Sequence, residues 1–500
     1  MNTASMPKSS FKRQVVRSGT WALALQVSSQ AFSLVRTLVL ARILAPEDFG
    51  LLGVALIAIS ILGKLSETGV QAALIQDKRE VHEFLDTGWT ISVLRGLFLC
   101  IAMFFGAPHL ARFFGDASAT NALRLASVSP LISGMNNIGI VSFQRKLAYK
   151  GHFLYRISGL LADTTVSIAA ALVLRSGWAL ILGLVAGSVG RLLASYLLHP
   201  FRPKLRIRRA IIRDLSGFGR WIMSSNLLTY FLLEGDDILV GRLLGTSHLG
   251  LYRMAYRFSN LPATEISGVL SQVTFSTYAR LQDNQASLRR AYLETVKLTI
   301  LLSFPSAAGL LVLADPFTRL FLGEQWVPMI PAMQVLTIFG AARSYGGTIG
   351  SLLQGVGKAK LFTRLLLLQL VLLAPIIVPF TAKWGIVGTA AAILIPNIIM
   401  QIAASSKVTK LLAIRPNQII RVLAAPLVGS TIMAGVMCAA RALWPTAAAA
   451  FWFGIPIGIL TYAAAMLAME ALTTYDFTHT ILSIVHTTVP TTETLDKTEA

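Results

Sequence analysis

The sequence predicts an all-α integral membrane protein of 14 transmembrane helices: two parallel six-helix bundles, then two C-terminal helices, with both termini cytoplasmic. Three observations predict it: an apolar composition, basic residues concentrated in alternate loops, and an internal repeat. The chain is 54% hydrophobic and 13% charged over 500 residues, with a mean hydropathy of +0.66. A water-soluble protein of this length needs more polar surface than that to cover its core.

Apolar runs of about 20 residues, the length that spans a hydrocarbon core as a helix, fall at 18–41, 50–76, 85–106, 121–143, 153–174, 178–199, 218–241, 249–276, 291–313, 329–354, 361–381, 385–406, 419–440 and 449–471. The 44 Lys and Arg residues test that assignment, because cytoplasmic loops are enriched in them. With the N-terminus inside, 24 fall on inside segments and 13 within the spans so bounded, while Arg42, Arg112, Arg175, Arg242, Arg319, Lys383 and Arg441 each stand alone in an outside loop. Adding or removing one helix destroys this alternation.

The formal charge of +21 is then a topology signal and not a nucleic-acid footprint. The six basic residues from Arg202 to Arg213 sit where anionic headgroups attract each by about 1 kcal/mol; a specific lipid or protein partner is the alternative. Cys100 and Cys438 are the only cysteines, and the seven His show no ligand spacing, so no metal site is expected. No outside loop is long enough for a folded domain. The expected organisation is a cytoplasmic segment 1–17, a first bundle 18–199, a basic linker 200–217, a second bundle 218–406, two helices within 407–472 and a cytoplasmic tail 473–500.

Trp21, Arg42, Leu44, Gly50 and Leu51 recur 200 residues later as Trp221, Arg242, Leu244, Gly250 and Leu251, and Pro108 and Gly115 recur as Pro316 and Gly323. Six helices separate the copies. An even number leaves both halves pointing the same way, so an axis along the membrane normal relates them and places a substrate between two bundles that rock.

The strings LVLARILAPEDFG (38–50), ILVGRLLGTSHLG (238–250) and ETGVQAALIQ (67–76) resemble the Wzx-type polysaccharide and O-antigen flippases, in the polysaccharide transporter branch of the multidrug/oligosaccharidyl-lipid/polysaccharide (MOP) flippase superfamily. The resemblance covers nearly the whole chain. It implies a bacterial inner-membrane protein, not an enzyme, that moves an undecaprenyl-diphosphate-linked oligosaccharide from the cytoplasmic to the periplasmic leaflet. It needs no cofactor; its partners are that substrate, membrane lipids, and a glycan polymerase with its chain-length machinery. A lipid II-type flippase and a MATE-like ion-coupled exporter of small molecules are the alternatives. No Walker-type loop is present, since Gly346-Gly347 and Gly355-Val356-Gly357 lack the Gly-Lys-Ser/Thr ending.

Ionisable residues inside spans are functional candidates because each costs at least about 2.5–3.5 kcal/mol at the bilayer centre. Arg36, Arg253, Arg257 and Arg343 are the candidates for binding the substrate diphosphate in a central cavity, since the guanidinium fork matches phosphate oxygens. Lys64, Glu67, Glu265, Asp236 and Asp237 are the candidates for ion coupling or a polar cavity wall. Structural alternatives stand beside these readings: Arg36 snorkels outward; Arg253 and Arg257 pair with Asp236 and Asp237; Lys64 and Glu67 neutralise one another. Arg95 and Asp163 form a structural pair in this reading and rank behind the others.

Overall fold

The computed structural model of the chain describes residues 8–66, 82–145, 149–206, 230–232, 234–444 and 446–472, and every regular element among them is helical. The chain divides into two compact units, Met1–Arg253 and Met254–Ala500. The first contains α1 (Lys8–Ile43), α2 (Pro46–Leu65), α3 (His82–Phe113), the short α4 (Thr120–Ala126), α5 (Val128–Gly134) and α6 (Val141–Arg145), then α7 (Tyr149–Leu174) and α8 (Trp178–Leu198), α9 (234–244) and the start of α10 (Thr246–Leu281). The second holds the remainder of α10, α11 (Gln285–Phe317), α12 (Ile330–Gly355), α13 (Ala359–Leu411), α14 (Pro416–Arg441) and α15 (Ala447–Leu472). Eight helices among the described residues are long and apolar enough to cross a membrane. Their outer faces carry exposed large apolar side chains such as Phe98, Phe105, Val371, Ile402, Trp452 and Leu460, a surface suited to lipid.

One apolar run is broken in a way the sequence pattern does not reveal, and two others follow one another within a single long element. The run 121–143 is broken into α4, α5 and α6. Buried Asn137 holds the second break against the end of α8: its N–H donates to Ser195 Oγ at 2.9 Å, and its side-chain amide donates to the Phe201 carbonyl at 2.6 Å. The runs 361–381 and 385–406 lie within the 53 residues of α13, whose backbone leaves helical geometry at Gly385 (φ 58°, ψ −142°). The hydroxyls of Thr381 and Thr389 are 2.9 Å apart there, whereas eight residues of straight helix advance about 12 Å. The chain therefore doubles back at Gly385, with Lys383 near the tip, 5.0 Å from the ring centre of Trp384.

The turns between α1 and α2 and between α9 and α10 carry the repeated motif and are built by different means. Pro46 opens α2, where a missing N–H costs nothing. Asp48 Oδ2 then accepts from Ala45 N at 2.9 Å, and Glu47 and Asp48 place negative charge on the positive end of the helix. In the second copy Gly245 takes φ +88°, a left-handed conformation that glycine adopts without strain. Both turns lie in the first unit and touch reciprocally: a Cβ on Gly50 would overlap the Thr246 carbonyl, and one on Gly250 would overlap that of Pro46.

Close packing inside the first unit rests on small residues where α7 crosses α8. A Cβ on Gly183 would overlap Ser167 Oγ, and one on Gly187 would sit 2.9 Å from Asp163 Cβ; such spacing allows backbones to approach without a hydrophobic drive. Gly183→Leu is expected to cost about 3 kcal/mol through overpacking, read as a lower melting temperature of the purified protein in detergent. A wild-type melting curve would show that the seam has room. The second unit has an apolar core around fully buried Tyr278, Tyr292, Leu352 and Val408. At one end of that unit Asp315 accepts from Arg319 at 2.8 Å and from Arg441 at 2.5 Å, tying α11 to α14.

Candidate functional site: charges within the apolar helices

Arg36 projects from α1 onto α7. Its guanidinium lies 2.9 Å from Asp163 Oδ1 and donates to Ser167 Oγ at 3.1 Å. The two side chains are 13% and 20% exposed, so Arg36 turns inward to a carboxylate and does not snorkel. Arg95, expected beside Asp163, instead closes the end of α2: it donates to the Gly63 carbonyl at 2.6 Å and to Ser66 Oγ at 3.0 Å. The physical reason is that the last carbonyls of a helix lack intrahelical donors and attract a cation. With Arg95 engaged there, Asp163 is paired with Arg36.

The acidic pair on α9 is buried, and its two members have different partners. Asp237 Oδ2 accepts from Arg253 at 2.5 Å, while Asp236 Oδ2 accepts from the Tyr252 hydroxyl at 2.6 Å. Gly53 on α2 makes room for this arrangement, because a Cβ there would stand 2.9 Å from Arg253 Cδ. Arg257 is half-buried one turn further along α10, and Lys64 is half-buried in the last turn of α2. Glu67 and the side chain of Glu265 lie outside the described residues.

Arg343 has a different environment. It sits in the middle of α12, half-buried, and donates to the Tyr256 hydroxyl at 2.6 Å with its guanidinium carbon 6.0 Å from the centre of the Phe339 ring. Within its own unit, among the described residues, no carboxylate pairs with it. A phenol and a ring face hold the guanidinium in place without cancelling its charge.

The structure thus pairs Asp237 with Arg253, Asp236 with Tyr252, and Arg36 with Asp163. It adds two residues that the sequence reading left out, Tyr252 and Tyr256. Their signal was present in the sequence: Tyr252-Arg253 and Tyr256-Arg257 repeat the same dipeptide four residues apart on α10, which sets the two tyrosines along one side of the helix.

Residues 39–331, more than half of the chain, match the family described as polysaccharide biosynthesis protein. The chain is 26% identical to lipopolysaccharide biosynthesis protein WzxC of Escherichia coli (strain K12), over 78% of this chain and 80% of that protein. It is 23% identical to succinoglycan biosynthesis transport protein ExoT of Rhizobium meliloti (strain 1021), over 69% of this chain and 70% of that one. Among solved structures it is similar to lipid II flippase MurJ in an inward closed conformation, with a TM-score of 0.73 at 16% identity, covering 91% of this chain and 99% of the other; at that identity the likeness is one of fold. By the match across its apolar helices and the motifs they carry, the chain belongs to the polysaccharide biosynthesis protein family.

Proposed function

We propose that this protein moves an undecaprenyl-diphosphate-linked oligosaccharide from the cytoplasmic to the periplasmic leaflet of a bacterial inner membrane, for synthesis of a surface or secreted polysaccharide. The observation that carries this reading is Arg343: a guanidinium in the middle of an apolar helix, held by a phenol and an aromatic ring. Retaining such a charge in a membrane is expensive, and an anionic substrate gives it a use. The relatives named for lipopolysaccharide biosynthesis and succinoglycan transport support a glycan as cargo.

The energetics require a protein path. Each sugar hydroxyl moved into a medium without hydrogen-bond partners costs about 4–8 kcal/mol, so a repeat unit does not cross lipid unaided. The isoprenoid tail stays in lipid, and the diphosphate needs cations along the route. An outward-moving anion gains about 2.3 kcal/mol per charge per 100 mV of inside-negative potential, so the membrane potential favours this direction without nucleotide hydrolysis.

The topology that serves this mechanism is the fourteen-helix one, with both termini cytoplasmic and the bundles 18–199 and 218–406 rocking about the substrate. The chain-reversing Gly385 and the long helices on most of the other apolar runs, where these are described, support that count. In this arrangement Arg36, Arg253, Arg257 and Arg343 supply positive charge to the path, and Lys64, Glu67, Glu265, Asp236 and Asp237 supply its remaining polarity and any ion coupling. A glycan polymerase and its chain-length machinery would receive the product.

The test is the leaflet distribution of lipid-linked oligosaccharide in cells depleted of this protein, read with a probe that reaches only the periplasmic face. Accumulation on the cytoplasmic side is the expected outcome. An unchanged distribution, in a strain without a second flippase, overturns the proposal.

A further inference from the structure

The first unit contains a cavity of about 430 Å³ between α1, α6, α7 and α8, lined on its polar side by Ser29, His152, Tyr155, Arg156, Asp163 and Arg191. Two cations and a histidine share it with one carboxylate, and that carboxylate is already bonded to Arg36 and Ser167. Arg191 donates to the neutral Ser188 Oγ at 3.3 Å. Arg156 is exposed to the cavity and makes no hydrogen bond or ion pair among the described residues. The Tyr155 hydroxyl accepts from the Asn136 side-chain amide at 3.1 Å, which leaves its own proton to donate. The cavity therefore has unused positive charge and an unused donor.

Its remaining wall is apolar, with Ile157 and Leu160 of α7 and Val141 of α6, and α7 belongs to a stretch fit to cross a membrane. Arg156 lies in the second turn of α7, and Arg191 two turns from the end of α8. The chain leaving that end of α8 carries exposed Arg202, Lys204 and Arg206, a run of positive charge that draws anions toward it.

We propose that this cavity binds the phosphate group of a lipid, gripped by Arg156 and Arg191 with Tyr155 as a third donor and the lipid chain against the apolar wall. Guanidinium pairs take phosphate oxygens bidentately, and an anion there supplies the counter-charge the cavity lacks. Only one step, the naming of this lipid as the transport substrate waiting to enter the path, rests on the function proposed above. The phosphate site itself stands on the geometry.

The experiment uses the full-length protein purified in detergent, with bound lipid counted by native mass spectrometry. The probes are undecaprenyl phosphate, phosphatidylglycerol, and inorganic phosphate as competitor. The wild type is expected to retain one phosphate lipid, R156Q/R191Q to retain it at least tenfold less with an unchanged melting temperature, and K383Q to behave as wild type. Undiminished retention in the double variant overturns the proposal, and so does binding of inorganic phosphate with no lipid retained. If the double variant melts early, R156Q and R191Q are read singly; about threefold weaker retention in each supports the site, and wild-type retention in both overturns it. A loss confined to undecaprenyl phosphate identifies the lipid as the substrate carrier, and an equal loss of phosphatidylglycerol identifies it as a bulk phospholipid. Because this reads binding and the depletion assay reads leaflet distribution, either proposal can fail while the other stands.

Discussion

Arg343→Gln is expected to bring delivery of lipid-linked oligosaccharide to the periplasmic leaflet close to zero while the protein still accumulates in the membrane. The substitution keeps length and polarity but removes the charge. A hydrogen bond to a charged group contributes about 1.5–3 kcal/mol, so transport is expected to fall by roughly 10-fold to 100-fold at each step in which the diphosphate depends on it. Tyr256→Phe is the graded companion. It removes only the hydroxyl that accepts from Arg343 at 2.6 Å, worth about 1 kcal/mol, and a loss of about fivefold is expected. The check is the leaflet assay normalised to protein level by immunoblot. Full transport by Arg343→Gln at normal abundance would remove this residue from the path.

Asp163→Asn is expected to destabilise the first unit strongly. The amide retains a hydrogen-bonding contact with Ser167 but leaves the Arg36 guanidinium, 13% exposed, without its counter-charge. Breaking one side of a buried ion pair costs about 3–5 kcal/mol, whereas replacing both members is far milder. The double variant Arg36→Leu/Asp163→Leu is therefore expected to melt closer to wild type than either Asp163→Asn or Arg36→Leu alone. Melting temperatures of the wild type, Arg36→Leu, Asp163→Leu and the double variant in one detergent form the cycle; additive losses would mean that the two residues act independently.

Much of the fold was legible because the membrane writes it in simple terms. Apolar length located the long helices among the described residues, and the chain reversal at Gly385 falls between two runs that the sequence already separated, beside Lys383. The broken helix at α4 to α6 was hidden, since the hydrogen bonds that replace its backbone pairing come from Asn137 to α8, about 60 residues away. The charged residues were easy to find and hard to pair. Arg36 and Asp163 lie on helices far apart in sequence, and nothing local marks them as partners. Arg95 looked like a candidate for Asp163 because carboxylates attract arginines, yet the open carbonyls at the end of α2 took it. The Asp237–Arg253 pair was accessible to sequence reasoning as one of two alternatives because the turn between α9 and α10 keeps both residues near each other. Arg343 was found by depth alone, and its aromatic support came only with the structure.

The reciprocal contact of Gly50 with Thr246 and of Gly250 with Pro46 has a bearing on how the duplication has aged. A residue that packs only against its own copy is free to diverge with its neighbours. At this crossing each copy is part of the other's environment, so a side chain added on one strand of the duplicate collides with the backbone of its twin, and no compensating change within a single copy relieves it. The two glycines are held by mutual constraint. That is a physical reason for the ancestral likeness to stand out around residues 42–51 and 242–251 while much of the remainder has blurred.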